Sequence, residues 1–360
     1  MMKHIDYFHS ILKKELELTQ KYITTFSHSK DKLANVAIKH IVNNKGKMLR
    51  PMLLILSGRY SYLIEKEDIK NEKFFIDDIA KAAAILELIQ MSSLIHDDVL
   101  DQSSERRNKS TLNKLRGNRF AILMGDYLVA QSLKNCYALV HNAERLFDPV
   151  VLYSFLDGIS KLVLGEIQQN NFNENLEESK DGIDSYFEII ENKTASLFSL
   201  ACFVGSTIGS NNSEYSGLLK SYGHNIGMAY QIIDDLRDFS FTSEISGEKN
   251  FQDIKFGIKT LPTIFANRFS HNGEFERLNN AFNSKKDLSE NDKLEIIDIL
   301  QKTGSIEKSL VEVSSYITEA KNILNQLPDN KYSLLLTEFA NYLSDVCNTV
   351  VDDIMCVKLN

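Results

Sequence analysis

Two aspartate clusters of the same form stand far apart in this chain: Asp97-Asp98-Val99-Leu100-Asp101 and Asp234-Asp235-Leu236-Arg237-Asp238. In each, carboxylates occupy positions i, i+1 and i+4. On a helix the first and last of these lie one turn apart on the same face. Like charges at that spacing cost an isolated helix roughly 0.2–0.5 kcal/mol per pair, so a compensating cation is expected. Hard carboxylate oxygens suit Mg²⁺, which binds through one or two carboxylates plus substrate phosphates. The pair of clusters therefore points to a diphosphate held between them by metal ions. The competing reading is a solvated helix face, which is ordinary in a chain with 49 acidic residues. The preceding segments argue against it. Ser92-Ser93-Leu94-Ile95-His96 and Gly227-Met228-Ala229-Tyr230-Gln231-Ile232-Ile233 are mostly apolar or uncharged. Carboxylates that follow such segments are expected to be partly buried, and buried charge needs a partner or a metal.

Basic residues gather around both clusters. Lys47 and Arg50 precede a helix start, Arg106-Arg107 follows the first cluster, and Lys193-Thr194 lies in a helical segment. Lys249, Lys255 and Lys259 follow the second cluster. Singly, each reads as a surface charge. Together with the acidic clusters they form the equipment for two polyanionic substrates, one neutralised by metal and the other by Lys and Arg. Arginine adds bidentate recognition of phosphate.

The elements that must position these groups are helical nearly throughout. Apolar periodicity predicts helices over 4–27, 31–43, a segment opened by Pro51, 77–101, 119–142, 150–170, 183–209 and 213–240. The pattern resumes at 261–270, 292–302, 305–326 and 331–357. The segment 77–101 is apolar on most faces, which marks a buried central helix. Polar stretches at 171–182 and 241–258 read as loops, the second one mobile. No sustained alternation signals a strand. With only four prolines and no Pro/Gly/Ser-rich linker, the 360 residues are expected to form one all-α domain, 1–360. The net charge of −8 argues against general nucleic-acid binding. Four scattered cysteines without a CxxC argue against a zinc site or disulfide framework. No run of 18 apolar residues occurs, so no integral membrane segment is expected. The N-terminal residues lack the apolar core of a signal peptide, so a cytoplasmic location is expected.

Six motifs in fixed order then carry a resemblance. They are Gly46-Lys47-x-x-Arg50-Pro51, Glu87-Leu88-Ile89-Gln90 through Asp101, Arg106-Arg107-x-x-x-Thr111, Gly125-Asp126, Lys193-Thr194, and Gln231-x-x-Asp234-Asp235-x-x-Asp238. Thr260-Leu261-Pro262 follows them. In these the chain resembles the trans-isoprenyl diphosphate synthases, the polyprenyl synthetase family. The resemblance implies the isoprenoid synthase fold, a large helical bundle around a central prenyl-binding cavity. It implies head-to-tail condensation of isopentenyl diphosphate with an allylic prenyl diphosphate. It also implies a homodimer and Mg²⁺, about three ions per site, bridging carboxylates and diphosphate. By position, Asp97, Asp101 and Asp234 would ligate metal directly, with Asp98, Asp235 and Asp238 assisting. Arg106, Lys193, Thr194, Gln231 and one of Lys249 and Lys259 would hold the allylic diphosphate. Lys47, Arg50, Gln90 and Arg107 would hold isopentenyl diphosphate, with Tyr230 beside it. Among these, Asp97, Asp98, Asp101, Arg106, Lys193, Asp234 and Asp235 would carry the catalysis.

The chain departs from the family pattern at several points. Gln90 stands for a common His, Asn108 for a Gly and Ser110 for a Pro. After the second cluster, Glu248 and Ile258 stand for lysines and Phe251 for a glycine, which leaves the assignment of a loop lysine open. Ser92 and Ser93, five and four residues before the first cluster, are the positions that help set product length in this family. Serines there leave the pocket open, which implies a product longer than geranylgeranyl. The alternative is that both merely pack against a neighbouring helix. Three other functions remain alongside the elongase: a catalytic subunit that needs a partner, a class I terpene cyclase, and a peptide isoprenyl transferase on the same fold.

Overall fold

A computed structural model describes residues 2–44, 46–65, 72–142, 145–174, 182–242, 250–270, 274–284 and 288–357. The helices are α1 (Met2–Ile11), α2 (Lys13–Ser27), α3 (Lys32–Val42), α4 (Leu49–Ile64), α5 (Glu72–Leu100), α6 (Leu112–Arg116), α7 (Asn118–Val140) and α8 (Val150–Glu174). They continue as α9 (Ile183–Ile190), a π-turn (Glu191–Ala195), α10 (Ser196–Gly209), α11 (Ser213–Arg237), α12 (Gln252–Phe256) and α13 (Leu261–Phe269). The remaining ones are α14 (Glu274–Ser284), α15 (Glu290–Lys302), α16 (Ser305–Leu324) and α17 (Lys331–Met355). Among the described residues the only strands are two-residue antiparallel pairs, Glu105–Arg106 with Lys109–Ser110 and His141–Asn142 with Arg145–Leu146. The all-α reading thus holds. The expected helix 4–27 is broken at Leu12, 183–209 is interrupted by the π-turn, and 274–284 is a helix that the periodicity did not reveal. Within 241–258, residues 252–256 are helical, while 243–249 lie outside the described residues.

Two compact units are present. The first comprises Met1–Ser160, Leu197–Gly223 and Ile323–Thr337. Its centre is α5, whose Phe75, Ile79, Ala82, Ala83, Ile85, Leu86 and Leu88 are all fully buried. By length and composition α5 could cross a membrane, but 72% of its most apolar stretch is buried inside the protein, which accounts for that apolarity. α5 packs against α2, α4 and α7. Arg59 of α4 ties α2 and α5 together through Glu15 (2.7 Å) and Glu72 (2.7 Å). α4 and α10 meet along small residues. A Cβ on Gly205 would stand 2.1 Å from the Leu54 carbonyl oxygen, and one on Gly209 would stand 2.3 Å from that of Gly58. Ser61 and Ser206 hydrogen-bond across this seam at 2.8 Å.

The second unit comprises Lys161–Ser196, His224–Asn322 and Glu338–Asn360. Here α13 packs on α9, α14 and α15, and α12 on α14. α13 starts where the Thr260 amide donates to Thr263 Oγ1 (3.1 Å), with Pro262 in the first turn, where its missing N–H costs nothing. Asp353 of α17 accepts the amides of Phe241 (3.0 Å) and Thr242 (3.2 Å) and the hydroxyls of Ser240 and Thr242. That clamp fixes the chain just after the second aspartate cluster.

Candidate active site

In the first unit, Asp97 and Asp98 close α5 and Asp101 lies just past its end. The Asp101 amide donates to the Asp97 carbonyl (2.8 Å) and the Ser103 amide to that of Asp98 (2.9 Å). Asp98 is 7% exposed and accepts from Arg106 Nε at 2.8 Å. Burial pushes its carboxyl above the ordinary range, with the Arg106 charge pulling the other way. Arg106 reaches Asp98 because the chain reverses at once. Arg107 (φ 53°) and Asn108 (φ 60°) both take left-handed backbone between the paired residues 105–106 and 109–110. A two-residue hairpin needs that conformation. Asparagine tolerates it, which explains how Asn108 substitutes for a glycine.

The Arg107 guanidinium lies against Gly46, where a Cβ would come within 2.7 Å of Nη2, and donates to the Asn44 carbonyl (2.8 Å). Arg50 stacks over the Phe198 ring at 4.5 Å. Glu87 is buried beneath these two arginines. Burial pushes its carboxyl up to about 7, and the charges of Arg50 and Arg107 pull it down. Gln90 lies one turn along α5, with its Oε1 buried and lacking a hydrogen-bond partner. Lys47 is exposed, and its carbonyl meets His9 (3.3 Å). Sequence reasoning quoted Glu87 without assigning it a role.

Gly125 of α7 meets His96, whose Nε2 would be 2.2 Å from a Cβ there, and Asp126 pairs with that nitrogen at 3.5 Å. Ser92 is buried and donates to the Gly125 carbonyl (2.8 Å), so this serine packs against the neighbouring helix. Ser93 is half-buried and faces Asp97 Oδ2 at 3.4 Å.

In the second unit, Asp234 is exposed and paired with Arg237 (2.7 Å). Asp235 is buried and accepts from Tyr186 (2.6 Å) and Gln231 (2.8 Å); burial still carries its carboxyl up to about 7. Asp238 accepts the Gln252 amide on one oxygen (2.9 Å) and the Asp253 amide on the other (3.0 Å). Burial lifts it to about 6 against those bonds. Asp253 is the residue that sequence reasoning missed. Burial and the charges of Asp238, Asp235 and Asp234 hold its carboxyl well above the usual range. Its signal was its place at the end of the Gly-x-x-x-Gly-x-Asp pattern that residues 247–253 follow imperfectly.

Lys193 donates to Gln169 (2.5 Å) and pairs with Glu166 (3.1 Å). Gly165 makes room for the π-turn that carries it, since a Cβ there would lie 2.4 Å from the Lys193 amide nitrogen. Thr194 donates to Gln231 (2.6 Å). Tyr230 is half-buried. Lys259 is 8% exposed, with its ammonium 5.1 Å from the Phe172 ring, and burial lowers its pKa. Lys249 lies outside the described residues.

Among the described residues no three His, Cys, Asp or Glu side chains already converge on a metal-sized point. The donor set nevertheless fits Mg²⁺. Asp234, Asp235, Asp238 and Asp253 are hard oxygen donors whose mutual repulsion a divalent cation would relieve.

An all-helical fold with two aspartate clusters, each with basic residues close by in sequence, defines a class of diphosphate-handling enzymes, and comparison with known proteins narrows it. A sequence profile of the polyprenyl synthetase family matches residues 31–300. The chain is 30% identical to heptaprenyl diphosphate synthase component 2 of Bacillus subtilis over 335 residues, covering 93% of this chain and 89% of that one. It is 33% identical to the mitochondrial solanesyl-diphosphate synthase 1 of rice over 316 residues, covering 86% and 70%. Among solved structures, it superposes on a polyprenyl synthase from Caulobacter crescentus, crystallised with calcium and isoprenyl diphosphate. That match has a TM-score of 0.82 and 25% identity over 94% of this chain and 97% of that one. The chain belongs to the polyprenyl synthetase family and is a trans-prenyltransferase.

Proposed function

We propose that this protein condenses isopentenyl diphosphate head-to-tail with an allylic prenyl diphosphate, in a Mg²⁺-dependent reaction, to give a trans-polyprenyl diphosphate longer than geranylgeranyl. The observation that carries the reading is the retention of both complete aspartate clusters and their basic companions inside the family match at 31–300. The relatives named above, heptaprenyl and solanesyl diphosphate synthases, support the long product.

Asp97, Asp101 and Asp234 are the assigned direct metal ligands. Asp98, Asp235 and Asp238 assist, which agrees with the hydrogen bonds that already occupy them. When bound, Mg²⁺ stabilises the negative charge that develops on a departing diphosphate. Arg106, Lys193, Thr194 and Gln231, with Lys259 or Lys249, hold that diphosphate. Lys47, Arg50, Gln90 and Arg107 hold isopentenyl diphosphate, with Tyr230 beside it. The buried, unsatisfied Gln90 Oε1 supports a polar ligand there. Ser92 and Ser93 are small residues on the helix that bears the first cluster and set product length by their small size, Ser92 while bonded to the Gly125 carbonyl of the neighbouring helix and Ser93 beside Asp97.

The homodimer belongs to the same reading. In the first unit, Leu123 and Tyr137 of α7 and Tyr153 and Leu156 of α8 are large apolar side chains left exposed, as a subunit interface requires. A second reading is an enzyme that needs a different partner chain, because one relative is named as component 2 of its synthase. Incubating the purified chain with radiolabelled isopentenyl diphosphate, farnesyl diphosphate and Mg²⁺ tests both. Label in an extractable long-chain product supports the single-chain elongase. No transfer with any allylic primer contradicts it and favours the partner-dependent form.

A further inference from the structure

The hydrogen bonds behind the second aspartate cluster extend to a residue outside every motif. Tyr186 of α9 is 3% exposed, and its hydroxyl donates to Asp235 Oδ2 at 2.6 Å. Gln231, one turn before Asp235 on α11, donates to the other oxygen at 2.8 Å. Thr194 of the π-turn donates to Gln231 at 2.6 Å. Both oxygens of Asp235 thus carry protein donors. Tyr186 of α9 and Thr194 of the π-turn each bond one member of the linked pair Asp235 and Gln231.

We propose that Tyr186 is a positioning residue of the elongation reaction, its hydroxyl orienting Asp235 and, through Gln231 and Thr194, the π-turn that carries Lys193. The inference rests on the functional reading above and deepens it.

A phenol in this buried place stays a neutral donor, since burial and the Asp235 charge raise its pKa. It therefore orients the carboxylate without cancelling the negative charge that attracts a cation, as a lysine or arginine would. The π-turn supplies the alignment. Eight residues of regular helix would leave positions 186 and 194 about 80° apart around the axis. One extra residue absorbed by a π-turn brings them to within about 20°. Both donors then face α11, and Lys193 is set beside Gln169 and Glu166.

The test uses the full-length protein. Tyr186→Phe adds no bulk and removes only the hydroxyl. The expected result is a fall in kcat of about 10–100-fold, the usual range for residues behind a metal site. The KM for isopentenyl diphosphate should stay within twofold of wild type, and the Kd for Mg²⁺, read by calorimetry on the protein without turnover, should rise. A kcat within twofold of wild type, or a loss expressed in that KM instead, would overturn the proposal. If the single variant does not fold, Asp235→Asn is compared with Tyr186→Phe/Asp235→Asn, where no buried charge is left without its donor. Equal rates within threefold show that Tyr186 acts through Asp235; a further tenfold loss shows that it does not. Wild-type protein inactive with every primer marks failure of the functional reading. Active wild type with an indistinguishable Tyr186→Phe marks failure of this inference alone.

Discussion

At position 251 the backbone takes φ 58°, a conformation suited to glycine, yet the residue is a phenylalanine 1% exposed. Its ring meets Phe239 and Phe241 edge-on at 5.6 Å and 5.7 Å. Its amide donates to the Asp238 carbonyl at 2.7 Å. Aromatic burial here outweighs the left-handed backbone, which costs about 1–2 kcal/mol for a residue with a Cβ. Removing the ring should destabilise by about 3–5 kcal/mol. Phe251→Gly should be less damaging than Phe251→Ala by about 1 kcal/mol, the reverse of the usual order, as read by urea unfolding. Three buried carboxyls also make stability depend on pH. Burial raises the carboxyls of Glu87, Asp235 and Asp238 to about 7, 7 and 6, above an unfolded value near 4. The folded state therefore binds more protons in that window, so metal-free stability should fall as pH rises from about 4 to about 7. Melting in EDTA checks the sign. Mg²⁺ should bind more weakly as pH drops from about 7 to about 6, because it needs the ionised forms. Tyr186 was not singled out from the sequence, because its partner Asp235 lies 49 residues away, and Asp253 was not, because residues 247–253 follow their pattern imperfectly. The six motif aspartates could be, because their spacing is local.

Among the elements, helical periodicity located most helices to within a few residues, since each buries one face. It gave no hint of the π-turn at 191–195, where Thr194 and Ala195 are already buried and the following α10 is buried on nearly every side. A pattern with no polar face cannot reveal a change of phase. The glycines of these helices carry specific predictions. Gly205→Ala would drive a methyl into the Leu54 carbonyl and should cost about 1–3 kcal/mol or more, visible as a lower melting temperature. Gly165→Ala would press on the Lys193 backbone, so activity should fall by a larger factor than the melting shift explains. Unchanged kcat in a folded Gly165→Ala protein would count against Lys193 as a diphosphate ligand.

For the molecule as a whole, the net charge of −8 and pI near 5.6 leave little long-range attraction for a polyanionic substrate. On the proposed function, binding is therefore expected from the local Lys and Arg groups and a metal. Tyr153 (68% exposed) and Leu123 (57%) are the side chains on which assembly should depend. Tyr153→Lys/Leu123→Glu should convert a dimer to a monomer in light scattering; a monomeric wild type would rule out the homodimer. The mass of the product formed by this chain alone from isopentenyl diphosphate, an allylic primer and Mg²⁺ decides whether it is an elongase. One dominant polyprenyl diphosphate longer than geranylgeranyl is expected, and EDTA should abolish it. A product no longer than geranylgeranyl, a cyclised hydrocarbon, or product formation that survives EDTA would rule out a Mg²⁺-dependent long-chain elongase.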